Sequence, residues 1–231
     1  MEKIAVFDVD GTLSRGFYLP RFAEALYKEG LFLDESLELI RSALSAYARG
    51  GYSYEQFAYD VITAFGKGVQ GKNQLDVRLI GKKCVETQQE KFIFTDSLVG
   101  LVKRKSYIPI IITGSPADII IPFAETLGIQ TVFATEYEVR GPVFTGKVLE
   151  NRAIEAQKRR ALRTYTETRE VNLLKSTGFG DSHHDLAFLE IVGYPVAVNP
   201  NEQLLTVAQK NNWLICKEGE DVVGKMASYL G

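Results

Sequence analysis

The residues Lys3-Ile-Ala-Val-Phe7 run directly into Asp8-Val-Asp-Gly-Thr12. A short, almost continuously apolar run rich in β-formers is the pattern of a strand covered on both faces. It therefore asks for a parallel sheet sandwiched between helices. Such a strand should not end in a pair of like charges unless its end is an exposed turn or something cationic sits there. In extended chain alternate side chains share a side, so Asp8 and Asp10 project together while Val9 turns toward the core. Comparable runs recur at Ile108–Thr113, Thr177–Gly180, Pro195–Asn199 and Trp213–Cys216.

Between these runs the apolar residues take a helical period. Ser115-Pro116 reads as an N-cap and first helical position, after which Ile119, Ile120, Phe123 and Leu127 share a face before Gly128. Polar Asn151–Thr166, a segment marked by Leu186, Leu189 and Val192, and Asn201–Asn211 read as further helices. Strands alternating with helices predict an α/β fold, a doubly wound parallel sheet with helices on both faces. Two stretches break the rhythm. Residues 16–87 carry helical signals alone (Pro20–Glu29, Asp34–Arg49 and a helix from Ser53, with Ser53 and Gln56 in a capping-box pattern). They read as an all-helical insertion, leaving 1–15 and 88–231 as the α/β core. Thr131–Val148, with Arg140-Gly141 at its middle, reads as a hairpin.

The net charge is −2 across 231 residues, which gives no electrostatic reason to expect nucleic acid or an anionic membrane as partner. The run Lys158, Arg159, Arg160, Arg163 reads as a solvated helix face. No window is long and apolar enough to span a bilayer, and no basic stretch followed by an apolar one opens the chain. Cys84 and Cys216 are far apart and match no disulfide framework or metal spacing. A monomer or homodimer in the cytoplasm, acting on a small molecule, is the expectation.

Ligands of parallel α/β sheets bind outside the carboxyl ends of the strands. The residues there are Asp8, Asp10, Gly11 and Thr12; Thr113, Gly114 and Ser115; and Asp181, Ser182 and Asp185. Carboxylates gathered at one spot raise one another's pKa unless a divalent cation neutralises them. An all-oxygen set without a Cys or His cluster suits Mg²⁺, and Thr113 with the backbone N–H groups around Gly114 and a lysine would complete an anion cradle. Together these describe phosphoryl transfer.

The order D-V-D-G-T, I-I-I-T-G-S, a helical lysine, then G-D-S-H-H-D resembles the four motifs of the haloacid dehalogenase superfamily, over essentially the whole chain. The helical insertion is similar to that family's C1 cap on a Rossmann-like core. The hairpin and the stretch G-D-S-H-H-D-L-A-F-L-E-I-V-G-Y-P-V-A-V-N-P resemble its phosphoserine phosphatase-like branch. The resemblance implies an Mg²⁺-dependent phosphomonoester hydrolase working through an aspartyl-phosphate. Asp8 matches the nucleophile, Asp10 the general acid and base, Thr113 and Gly114 the phosphate-binding pair, and Asp181 a metal ligand. The Asp8 carboxylate and the Asp10 main-chain carbonyl match the other metal ligands, and Asp185 a supporting carboxylate. Lys158 fits the lysine, for both catalysis and phosphate binding, with Lys147 and Lys175 as competitors. His183 and His184, the only histidines, fall at variable positions of G-D-x-x-x-D and are expected to be loop residues near the site.

The chain departs from the branch where phosphoserine phosphatases read the serine moiety. Phe17 stands at the position of the glutamate that pairs with the ammonium, and Tyr59, Asp60 and Val61 stand where the carboxylate-binding arginine would fall. Burying phosphoserine without either partner costs several kcal/mol, so a different phosphomonoester is implied. Tyr47, Tyr52, Tyr54, Phe57 and Tyr59 either line a cap pocket or pack the cap helices. Alternatives are a phosphotransferase or mutase with the same chemistry, and a non-catalytic phosphate-binding module, against which both Asp8 and Asp10 stand.

Overall fold

A computed structural model describes residues 1–87 and 90–231. Seven strands form one sheet in the order β4-β3-β2-β1-β5-β6-β7. They are β1 (Lys3–Phe7), β2 (Tyr107–Pro116), β3 (Thr131–Arg140), β4 (Val143–Glu150), β5 (Thr177–Gly180), β6 (Tyr194–Val198) and β7 (Leu214–Cys216). All neighbours pair in parallel except β3 with β4, the hairpin at one edge. The fold is the expected Rossmann-like α/β sheet.

The alternation along β1 sorts the two faces. Ala5 and Phe7 lie in a core with α5 (Thr95–Arg104), α6 (Ala117–Thr126) and α10 (Val222–Tyr229). Ile4 and Val6 lie in a second core with α7 (Glu155–Glu167), α8 (Leu186–Leu189) and α9 (Glu202–Lys210). Successive strand residues point to opposite faces, which is why a run with no polar residue is required at the centre of the sheet.

Among the described residues, four helices lie between β1 and α5: α1 (Tyr18–Lys28), α2 (Asp34–Ala48), α3 (Tyr54–Gly68) and α4 (Gln74–Thr87). The expected boundary at 87/88 touches residues 88–89, which lie outside the described residues. The four helices share the first core: Phe22, Phe65 and Val77 belong to the same apolar cluster as Phe7 and Phe123. Two glycines allow the helices to come close. A Cβ on Gly81 of α4 would lie 2.3 Å from the Asp118 carbonyl oxygen of α6, and one on Gly66 of α3 would lie 2.7 Å from that of Gly146 in β4. Arg78 of α4 reinforces the first contact, its guanidinium 3.1 Å from the Asp118 carboxylate.

Some boundaries differ from expectation for local reasons. Strand β2 continues through Thr113-Gly-Ser-Pro116, so α6 starts at Ala117 and Pro116 is its N-cap. The Ser115 hydroxyl is engaged elsewhere and does not cap the helix. Helix α7 begins at Glu155, and α8 is a four-residue helix ending at Leu189. Helices α5 and α10, which the reading of the sequence did not single out, close the first face. Ser53 does cap α3, accepting from Gln56 N at 3.2 Å.

Candidate active site

Strand β1 lies between β2 and β5, the point from which the chain builds outward in both directions. Its carboxyl end is therefore flanked by those of β2 and β5. Phe7 and Phe179, paired across β1 and β5, stack at 4.5 Å and fix the strand ends against each other. Beyond Phe7 the chain folds into one tight turn in which Thr12, Leu13 and Ser14 N–H all donate to Val9 O. Gly11 takes φ +85° in that turn, and a Cβ there would stand 2.4 Å from an Asp181 carboxylate oxygen. Glycine is thus needed both for the backbone conformation and for the approach of Asp181.

Asp8 and Asp10 do face one cavity, of about 320 Å³, with Lys158, Asp181 and the Gly114 backbone. Lys158 Nζ donates to Asp8 Oδ1 and Asp185 Oδ1, both at 2.7 Å, and all three residues are buried. Lys147 and Lys175 are exposed. The other Asp185 oxygen accepts from Asp181 N at 3.1 Å, Ser182 N at 3.0 Å and Ser182 Oγ at 3.2 Å. Asp185 is therefore a strut that holds both the lysine and the Asp181 turn. Asp10 is held at both oxygens, accepting from Tyr18 N at 2.9 Å and Ser115 Oγ at 2.6 Å. Thr113 is fully buried within β2, its hydroxyl accepting from Ser115 N at 3.3 Å.

Burial dominates the electrostatics. It raises the Asp8 carboxyl to about 7 despite the opposing pull of Lys158. Burial likewise raises Asp10 against the Ser115 hydrogen bond, and with Asp185 and Asp8 it holds Asp181 well above the usual carboxylate range. For Lys158 burial works downward, but Asp185 and Asp8 outweigh it and keep the ammonium charged.

The far wall is aromatic. Phe17, Tyr47 and Tyr54 line the cavity. Tyr47 stacks on Phe57 at 4.7 Å, and Phe17 packs against Phe57 at 5.3 Å. A narrow apolar recess continues past Asp10 between Phe17, Pro20, Phe57 and Val61. Tyr59 points out to solvent. His183 and His184 reach the cavity from the turn after β5. Of the basic run on α7, Arg159 and Arg163 pair along the helix with Glu155 at 2.8 Å and Glu167 at 2.6 Å, as a solvated face would, whereas Lys158 turns inward and is buried, against that expectation.

A family model described as haloacid dehalogenase-like hydrolase matches residues 5–190. The chain belongs to the haloacid dehalogenase-like hydrolase family. Its fold is that of the family's phosphoserine phosphatases: it aligns with a phospho-aspartyl intermediate analogue of phosphoserine phosphatase at TM-score 0.68 and 18% identity, covering 98% of both chains. A Bordetella pertussis protein of unknown function aligns at TM-score 0.77 and 21% identity, covering 94% of this chain and 98% of that one. In sequence the chain is 24% identical to phosphoserine phosphatase SerB1 of Mycobacterium tuberculosis, over 91% of this chain and 69% of that protein. It is 27% identical to the inhibition of morphological differentiation protein of Streptomyces azureus, over 91% and 76%.

Hydrolases of this family with such an acidic cluster raise the question of a metal, and the donor set fits one. Asp8, Asp181 and Asp185 each place a carboxylate oxygen within 4.8 Å of the others. Since Asp185 spends both oxygens on Lys158 and the turn, Asp8 and Asp181 are the pair left to ligate. Of the site neighbours, Ser115 was read as a helix cap at the strand end, Tyr54 was left between a cap pocket and helix packing, and Glu55 was not singled out. Their roles depend on contacts between distant segments.

Proposed function

We propose that the chain is a phosphomonoester hydrolase acting through an aspartyl-phosphate on Asp8. The observation that carries this reading is the pair of carboxylates on one cavity wall with different anchors: Asp8 on a buried ammonium, Asp10 on a hydroxyl and a backbone N–H. In the first the ammonium opposes the burial that raises Asp8 and aims its carboxylate; the second holds a carboxyl whose raised pKa lets it carry a proton.

An Asp8 oxygen forms a bond to phosphorus as the bond from phosphorus to the ester oxygen breaks, and protonated Asp10 delivers its proton to the departing oxygen. Asp10, now ionised, takes a proton from water, whose oxygen attacks phosphorus and frees phosphate and Asp8. Lys158 holds Asp8 in position and offsets negative charge as it moves onto the phosphoryl oxygens, with Gly114 N–H and the Thr113 end of β2 on the other side. Asp8, Asp181 and the Asp10 carbonyl would hold Mg²⁺, which supplies positive charge against the same oxygens. Residues 16–87 serve as the cap. Through Phe17, Tyr47 and Tyr54 they exclude water and meet the leaving group.

The substrate follows from the lining. Among the described residues around the cavity the one lysine or arginine is Lys158, which Asp8 and Asp185 already occupy. A carboxylate on the leaving group would be buried without a partner, so a phosphomonoester with an uncharged, apolar or aromatic leaving group is preferred over phosphoserine.

The test is phosphate release from a panel of phosphomonoesters including phosphoserine and aryl phosphates, with Mg²⁺, with EDTA, and with Asp8→Asn. Release that needs Mg²⁺ and Asp8 and favours the aryl esters is expected. Release that survives both the chelator and Asp8→Asn would overturn the mechanism, and phosphoserine turnover far above the rest would overturn the substrate class. Transfer to an added alcohol in place of phosphate release would make the protein a phosphotransferase.

A further inference from the structure

Glu55, in the first turn of α3, meets His183 and His184 at the edge of the cavity. The Nε2 atoms of the two histidines lie 3.7 Å and 3.6 Å from the same Glu55 oxygen, Oε1. One carboxylate oxygen and one nitrogen from each ring all fall within 4.8 Å of one another. The two nitrogen–oxygen separations are too long for hydrogen bonds. They are close to the edge, about 3.4 Å, of a tetrahedron drawn around an ion with bonds of about 2.0–2.1 Å.

The second observation is an orphan. His184 is only 3% exposed, yet its Nε2 is buried without a hydrogen-bond partner among the described residues. Leaving a buried polar atom unpaired is destabilising. The ring cannot easily turn away to find a partner, because it packs against Tyr54 at 4.5 Å and His183 at 3.8 Å between ring centres. A rigid, buried, unpaired ring nitrogen therefore points at a second ring nitrogen and a carboxylate that can follow it. The Glu55 side chain is 54% exposed and adjusts at little cost.

We propose that Glu55, His183 and His184 form a Zn²⁺ site that links α3 to the turn after β5, separate from the all-oxygen set at Asp8 and Asp181. Two imidazoles and a carboxylate favour Zn²⁺ strongly over Mg²⁺, which prefers carboxylates and water. The fourth position opens to the cavity, where water or a substrate oxygen completes the tetrahedron. Occupancy would tie α3 to the turn after β5 at the edge of the cavity.

The experiment uses the whole chain, stripped of metal and held in excess Mg²⁺, titrated with Zn²⁺ against a chromophoric chelator. Co²⁺ serves as the spectroscopic probe. One equivalent of Zn²⁺ and the intense visible absorption of four-coordinate Co²⁺ are expected. Glu55→Gln, a surface change that leaves the core intact, and His184→Ala should each weaken binding at least roughly tenfold. Asp8→Asn should bind Zn²⁺ like the parent, whether or not it releases phosphate. The proposal is overturned by a parent that binds no Zn²⁺ over Mg²⁺. It is equally overturned by a His183→Ala/His184→Ala double variant of unchanged affinity, or by loss of Zn²⁺ binding in Asp8→Asn, which would place the ion at the carboxylates.

Discussion

Replacing Lys158 with methionine keeps most of the side chain's volume and removes its charge. Lys158 Nζ is the shared partner, at 2.7 Å, of Asp8 and Asp185, and the three residues are 3%, 4% and 0% exposed. Removing one partner of a buried ion pair costs about 3–5 kcal/mol because the remaining charge stays uncompensated. The cost depends on pH in a direction that can be worked out. In the metal-free parent the Asp8 carboxyl is raised to about 7, so between an ordinary carboxylate pKa and that value the folded chain holds more protons than the unfolded one. Stability therefore falls as pH rises through this window. Without the ammonium the folded pKa moves higher still, the window widens, and the variant loses more than the parent. The deficit must be larger at pH 8 than at pH 5. Urea unfolding in EDTA, followed by the fluorescence of the single tryptophan, Trp213, reads it. With a slope of roughly 2–3 kcal/mol per molar urea, the midpoint should drop by about 1–2 M at pH 8. A drop below about 0.3 M at pH 8, or a larger drop at pH 5, would refute the assignment of Lys158 as the buried counter-charge.

Gly11→Ala places a methyl 2.4 Å from an Asp181 oxygen at a left-handed backbone position. A fall in kcat of at least roughly a hundredfold is expected, with a higher Mg²⁺ requirement, measured by phosphate release against Mg²⁺ concentration. Ser115→Ala removes the hydrogen bond that opposes the raised Asp10 pKa. The alkaline limb of the kcat/KM profile should move to higher pH, since the acid keeps its proton longer, while kcat drops roughly tenfold. Phe17→Ala opens the aromatic wall and should raise KM for an aryl phosphate several-fold more than for a small alkyl phosphate, in steady-state assays of both. Cys84 and Cys216 are buried, and burial pushes the Cys216 thiol to about 11 and the Cys84 thiol upward. A thiol reagent at pH 8 should find neither cysteine in the native chain and both in urea.

Strand positions were readable where burial is one-dimensional. Lys3–Phe7 is β1 residue for residue, because a central strand must be apolar at every buried position and only its half-buried first residue, Lys3, is polar. The helix expected at Asp34–Arg49 and found at Asp34–Ala48, and the Ser53 cap, were readable for the same kind of reason, a strong period and a local hydrogen bond. Helices α5 and α10 were not: each carries a glycine, Gly100 or Gly224, which weakens a helical pattern; α5 has no side-chain cap, and the Asp221 cap that starts α10 was passed over. In the site, Asp8, Asp10 and Asp181 were legible because strand ends expose them by rule. Ser115 was not, because S-P is a good helix start and only the distant Asp10 makes its hydroxyl worth more elsewhere. Glu55 was hidden among first-turn acids that ordinarily complement a helix dipole. Lys158 stood in a basic run and could be chosen only by its place in the motif order; its burial is a property of the packed α7.

The ion pair between Lys158 and Asp8 joins residues 150 apart in the chain, whereas that between Lys158 and Asp185 spans only 27. A nascent chain therefore carries Asp8, the proposed nucleophile, long before it owns the lysine that restrains it. Until β1 and β5 pair, Asp8 is an ordinary solvated carboxylate without the buried ammonium of Lys158. The loop that must close is among the longest the molecule contains, and such closures come late in folding. The site thus rests on a long-range closure: a truncated or half-folded chain would lack the Asp8–Lys158 pair, and ligands of the finished site would selectively hold the completed fold.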